Sequence, residues 1–346
     1  MKRVTFLVTH PRNMDPQREA IAQDVAALSA YTQAHVVHIA PPERLRPIYP
    51  ERLFGLWLLP RLRALAAHTD VFHVFHAHPR FFTLFNFLRK PIVYSVVSGL
   101  RLNVPPNKAE LFNRLAHIVV SNIRDQNLML GWGVRNTTVI QPGIILERFK
   151  VTPAPVLHKD APFHLFMGSA PWTLPSFQHK GVDSLLAVMR EMPQLRITFL
   201  WRGFLYEEML QRVRALGLED RAIVLNERVN VVAQLAATHA AVLVSDDASI
   251  IKAYPNSLME AVACARPVLI SQQIPMSDDV AAQGCGVVVA DVAATTLKNA
   301  IQEMILNYPR YQQAAAAYPT QQFSHQRWLA KNLALYEASV RDQSDR

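Results

Sequence analysis

The sequence predicts an α/β protein of two tandem doubly wound (Rossmann-like) domains. Three observations carry this. Short apolar runs rich in β-branched residues alternate with helical stretches, the pattern of a parallel sheet covered on both faces. The alternation is interrupted once by a proline-rich segment and then restarts. At 346 residues the chain is longer than a single hydrophobic core usually supports.

In chain order, the expected strands of the first half are 4–8, 36–39, 71–75, 92–97, 118–120 and 138–140. A helix is expected over 18–32, with Ile21, Val25 and Leu28 on one apolar stripe. Gln141-Pro142-Gly143 closes the series, and the segment 151–162, with three prolines, reads as the linker. Strands are then expected at 163–167, 197–200, 223–225, 241–244, 268–270 and 287–289. A last helix, about 320–340, carries Trp328, Leu329, Leu333 and Tyr336 at helical spacing. It packs on its own domain or crosses back to the first. The expected domains are 1–145, joined by that helix, and 146–319.

Composition narrows the classes. The net charge is +9 and uneven: residues 1–150 hold 19 Lys/Arg against 9 Asp/Glu, and the remainder 17 against 18. The basic half serves solubility or faces something anionic. Alternating basic and aromatic runs, zinc spacing and a recognition-helix pattern are all absent from the sequence, so nucleic acid is not an expected partner. The start, MKRVTFLVTHPR, reads as a first strand rather than a secretion signal, and no apolar run approaches the length of a membrane span. Two cysteines, Cys264 and Cys285, in apolar surroundings fit a reducing compartment. His73, His76 and His78 have metal-like spacing, but the odd separation of the first two puts them on opposite strand faces, so no metal site is expected. Asp246 and Asp247 read as solvated loop residues, and Cys264 as a small buried residue.

The stretch 245–271 concentrates the candidate chemistry. It reads as the end of a buried strand, a loop with Tyr254, Pro255, Asn256 and Ser257, a helix holding Glu260, and a second buried strand. Unpaired N–H groups and the helix dipole converge at such a helix start, which suits a phosphate. Glu260 would face the ligand if Met259 and Val262 face the core, where its carboxylate can accept ribose hydroxyls or merely favour the dipole.

The string Y-P-N-S-L-M-E-A-V-A-C-A-R-P-V-L-I-S resembles the donor-site signature of glycosyltransferase family 4, retaining enzymes of the GT-B fold. D-V-F-H-V-F-H at 70–76, K-P-I-V-Y-S-V-V-S-G at 90–99, V-I-Q-P-G-I at 139–144, H-K-G-V at 179–182 and the final Trp-containing helix extend the likeness over the whole chain. The resemblance implies that Glu260 binds the donor ribose and that Asn256 and Ser257, with Tyr254 and Pro255 beside them, line the diphosphate. Lys180 would reach the same phosphates, and Gly168 would lie near them. Gly99, beside Ser98, and Arg12 would lie on the acceptor side. Lys252, Lys180 and Ser98 are the residues expected to act in catalysis. No cofactor is expected, since the nucleotide-sugar is a co-substrate.

The sequence also departs from the family. Lys252 stands where a glutamate eight positions before Glu260 is usual; Gly168-Ser169-Ala170 replaces Gly-Arg; Ser98 replaces a common histidine; and the loop 9–17 lacks glycines. Lys252 or Arg202 would replace the lost phosphate cation. Lys252 alternatively pairs with an acidic donor sugar, or marks a protein that binds without catalysing. The expected function is sugar transfer from a nucleotide-sugar to a glycan or lipid-linked acceptor in cell-envelope or exopolysaccharide synthesis, retaining and metal-independent. A silent GT-B binding or partner protein and a sugar-nucleotide epimerase or phosphorylase are the alternatives. Two segments, 53–63 and 80–91, place aromatic and aliphatic residues beside arginines. They read as core helices or as a patch for an anionic membrane surface, which would make the protein cytoplasmic and peripheral on the inner face of the membrane.

Overall fold

A computed structural model describes residues 1–9, 20–40, 50–102, 105–157, 161–201 and 205–344. The chain divides into two compact units, Met1–Gly143 with Gln326–Arg346, and Ile144–His325.

In the first unit the strands are β1 (Arg3–Val8), β2 (Gln33–His38), β3 (Val71–His76), β4 (Ile92–Val96), β5 (His117–Val120) and β6 (Thr137–Val139). The helices are α1 (Ala20–Ser29), α2 (Leu59–Ala66) and α3 (Ile123–Gly131). The sheet order is β2-β1-β3-β4-β5-β6, and every pairing is parallel. All of β3 and β4 is buried, as expected of parallel strands covered on both faces. Asn122 caps α3 by accepting from the Asp125 N–H at 2.7 Å.

The second unit contains β7 (Phe163–Met167), α4 (Pro175–His179), α5 (Val182–Glu191), β8 (Leu195–Leu200), α6 (Tyr206–Ala215), β9 (Ala222–Leu225) and α7 (Val231–Ala236). There follow β10 (Ala240–Leu243), α8 (Asn256–Ala263), β11 (Val268–Ser271), α9 (Ser277–Gln283), β12 (Gly286–Val289), α10 (Ala294–Leu306) and α11 (Tyr308–Ala316), and then α12 (His325–Ser344), which leaves this unit after its first residue. The order β12-β11-β10-β7-β8-β9 is again wholly parallel. The twelve strands lie where the apolar runs put them, within two residues at either end except at the start of β2, which begins three residues before its run.

The start of the segment expected as a linker, at Thr152 and Pro153, is anchored in the second unit. Arg266 is 0% exposed. Its guanidinium donates to the carbonyls of Thr152 and Pro153, to Thr152 Oγ1, and to the carbonyls of Leu235 and Cys264, at 2.8–3.0 Å. Leu235 is in the last turn of α7 and Cys264 is the C-cap of α8. The buried charge is thus met by the negative ends of two helices and by the chain that the prolines stiffen.

From Gln326 onward α12 belongs to the first unit, where Trp328, Leu329, Leu335 and Tyr336 join Val4, Phe6 and Val25 in one cluster. Leu333 is partly buried against it. Tyr336 Oη lies 2.6 Å from His73 Nδ1, and His73 Nε2 lies 2.8 Å from Ser95 Oγ. Both nitrogens are satisfied with the ring neutral, since each hydroxyl can donate or accept. His76 faces the other way: Nδ1 meets Thr9 Oγ1 at 2.9 Å, and the ring lies edge-on to Phe82. The two histidines therefore share no ligand position.

The segments 53–63 and 80–91 form short 3₁₀ turns and α2 rather than long helices. Phe54, Leu62, Phe82, Leu84 and Phe85 are buried, whereas Trp57 and Phe87 are 46% and 43% exposed. Among the described residues no helix is long and apolar enough to cross a membrane.

Two outcomes are expected. Arg266→Met leaves several buried carbonyls unpaired and lowers stability by about 3–5 kcal/mol, read as the urea midpoint. Burial pushes His73 and His76 down to about 3 and His239 to about 4. Their folded values lie below the unfolded value of about 6.5, so the stability they support is complete above that pH. It is lost as pH falls from about 6.5 toward 4, by up to ~1.4 kcal/mol per pH unit for each ring. Unfolding midpoints unchanged between about pH 7 and pH 5 would contradict this.

Candidate active site

In the second sheet the strand order reverses between β7 and β10, and ligands of doubly wound sheets bind outside the carboxyl ends of the strands at that point. Two loops leave the sheet there, Gly168–Leu174 after β7 and Val244–Pro255 after β10. They meet closely. A side-chain carbon on Gly168 would lie 2.6 Å from Ser257 Cβ and 3.2 Å from its Oγ, so only glycine lets the backbone approach the start of α8. The Asp246 N–H donates to His179 O at 3.1 Å and the two side chains are 2.9 Å apart, which ties the end of α4 to the second loop. Asp246 is therefore paired, and Asp247 caps a short turn by accepting from Ser249 N and Oγ.

Helix α8 presents one face that is not buried. Leu258, Met259, Ala261, Val262 and Ala263 are in the core, and Asn256, Ser257 and Glu260 are half-exposed. The spacing of three and four residues stacks those side chains along one stripe. No side chain caps the helix at Pro255, so its first N–H groups and positive dipole end point toward the Gly168 loop.

Two lysines adjoin this end. Lys180, 6% exposed, donates from Nζ to Ser169 Oγ and Ala170 O, both at 3.1 Å. Its position is fixed by the left-handed Gly181 (φ 63°), where a Cβ would strike Val244 at 2.7 Å. Lys252, half-exposed, has Nζ 3.5 Å from Asn256 Oδ1. Like charges and a helix N-terminus gathered around one loop junction are what an anion site is built from, and the Glu260 carboxylate lies one turn away.

Other expected site residues are placed differently. Tyr254 is 3% exposed and turned into the core, where it donates to Asp279 Oδ2 at 2.8 Å and packs edge-on against Phe323. Burial pushes the Asp279 carboxyl up while the tyrosine hydroxyl opposes it. Tyr254 and Pro255 are both buried and anchor the loop. Ser98 and Gly99 are buried at the carboxyl end of β4 in the first unit, where the Ser98 N–H donates to Ala77 O at 3.2 Å. Arg12 and Arg202 lie outside the described residues. The sequence reading missed Ser169 and Ala170 as partners of Lys180, and Asp279 as the anchor of Tyr254. Neither pairing leaves a local signal, because the partners are separated by 10 to 25 residues.

Comparison with known proteins places this geometry. Residues 173–320 match the family "Glycosyl transferases group 1". No curated protein sequence matches the chain. Among solved structures, HepE (Alr3699) of Anabaena in complex with UDP is 18% identical with a TM-score of 0.71, over 98% of this chain and 100% of that one. A glycosyltransferase from Rickettsia africae is 14% identical with a TM-score of 0.72, over 98% and 99%. Sucrose-phosphate synthase of Thermosynechococcus elongatus is 15% identical with a TM-score of 0.68, over 97% and 98%. The fold is that of the GT-B glycosyltransferases. The group 1 match takes in α8 and the Lys180 turn, and begins five residues after Gly168 in this GT-B chain.

The Gly168–Ser257 contact is directly testable. Gly168→Ala forces the loops apart and costs about 1–3 kcal/mol, read as a lower melting temperature. Adding Ser257→Gly removes the opposing Cβ and restores most of the loss. A double variant no more stable than the single one would refute the contact.

Proposed function

We propose that the protein transfers a sugar from a nucleoside-diphosphate donor to a hydroxyl of a glycan or lipid-linked acceptor. One observation carries the reading: Lys180, Lys252 and the uncapped start of α8 converge at the switch point, one turn from the half-exposed Glu260. A nucleoside diphosphate needs those two features together, a cationic seat for its phosphates and a carboxylate for the ribose hydroxyls. Departure of the diphosphate builds negative charge, which the lysines and the helix dipole stabilise without reorganising. In this reading no metal takes part and the anomeric configuration is retained.

The relatives point the same way. HepE structures hold UDP, UDP with glucose, and UDP-glucose. Similar chains include WaaG, a glycosyltransferase of lipopolysaccharide biosynthesis, and WaaB, a lipopolysaccharide outer core galactosyltransferase. Cell-envelope or exopolysaccharide glycans are accordingly the acceptors we favour. Lys252 serves the diphosphate rather than the sugar, since its ammonium lies against Asn256, the first residue of α8.

Calorimetry with UDP, GDP and dTDP tests the site. One of the three binds, and Glu260→Ala or Lys180→Met weakens it about 10–100-fold, the worth of a hydrogen bond to a charged group. Lys252→Glu weakens the free diphosphate by a similar factor; were the lysine facing the sugar, only the nucleotide-sugar would be affected. If no nucleotide binds and Glu260→Ala changes nothing, the reading is wrong.

A further inference from the structure

The first unit carries a cavity of about 590 Å³ at the edge of its sheet where β4 and β5 begin. Its floor is apolar and buried, with Phe85, Ile92 and Leu115 among the contributors. Its rim is basic: Arg89, Lys90 and Arg114 line it, and Arg89 and Arg114 are exposed. Asp342 of α12, also exposed, is the carboxylate of the lining, which leaves an excess of two positive charges. Neither Lys90 nor Arg114 forms an ion pair with a described residue. Beside the rim Phe87 is 43% exposed. The five residues of β4 separate this edge by about 15 Å from the carboxyl edge where Ser98 and Gly99 lie, so the cavity is not part of an acceptor position there.

Lys90 and Arg114 over an apolar floor suit a ligand with the same division, an anionic head on an apolar body. We propose that this cavity seats the headgroup of an anionic phospholipid at a bilayer surface. The phosphate meets Lys90 and Arg114, the start of the acyl chains lies against Leu88 and the floor, and Phe87 enters the interface. The concentration of positive charge in the first 150 residues, 19 Lys/Arg against 9 Asp/Glu, draws the same unit toward an anionic surface. The assignment stands apart from the sugar-transfer reading, which concerns the second unit.

Flotation of the full chain with vesicles of phosphatidylcholine, with and without phosphatidylglycerol, tests it. The chain binds only the phosphatidylglycerol vesicles, and less as salt rises. Lys90→Gln with Arg114→Gln lowers the partition coefficient about 30-fold, as expected for two cations near a charged bilayer. Asp342→Asn raises it about fivefold, a gain that misfolding cannot produce. Arg101→Gln with Lys108→Gln removes the same charge from the connection after β4, outside the cavity lining, and changes little. Equal losses in the two double variants would mean that a diffuse field, not the cavity, binds the membrane. Release from the vesicles by soluble glycerol 3-phosphate would assign the cavity to a free phosphate ligand instead. Either result, or absence of binding to anionic vesicles, overturns the proposal.

Discussion

Parallel pairing is the constraint from which the rest of this protein follows. Every paired strand in both sheets runs the same way as its neighbours, and parallel strands cannot be joined by tight turns. Each connection must cross a face of the sheet, usually through a helix. That buries β3, β4, β10 and β11 completely and gathers all the outgoing loops at one edge. Where the crossovers change direction, between β7 and β10, two such loops diverge and leave room for a ligand. The Gly168 loop and α8 meet there because the topology leaves them no other place.

Helix α8 is used at both ends. Its open N-terminus faces the loop junction with Lys180 and Lys252, while its C-cap carbonyl at Cys264 accepts from the buried Arg266. A dipole offers positive potential at one end and negative at the other, so one short helix helps to bury a cation at its C-terminus and leaves positive potential at its open N-terminus. Arg266 and Lys180 solve the same problem in the same way. Each sits in the interior with oxygen acceptors around its cation, a hydroxyl and a carbonyl for Lys180 and several carbonyls for Arg266, which satisfies hydrogen bonds of the buried charge.

The first unit buries polar groups differently, with neutral rings. The chain Tyr336–His73–Ser95 joins α12 to β3 and β4 through hydroxyls that suit either imidazole tautomer. Burying aromatic side chains such as Trp328 and Tyr336 of α12 contributes about 4–6 kcal/mol each at ~25 cal/mol per Å². That burial explains why a helix that follows the second unit in sequence is held by the core of the first.

The sequence by itself determined the strands, the helical stripe of α12 and the half-exposed face of α8. Apolar periodicity is a local property that each segment carries whatever its neighbours do. Glu260 was legible for that reason, since it faces outward once Met259 and Val262 face inward, whereas Asn256 and Ser257, expected on the loop, open the helix itself. Only the tertiary structure decided which loop meets which. That Gly168 touches Ser257, that Tyr254 turns away to Asp279, that Arg266 holds the proline-rich segment, and that Arg114 and Asp342 share a cavity with Lys90 all depend on strand order. Strand order is set by the packing of whole elements against each other, and no short stretch of residues records it.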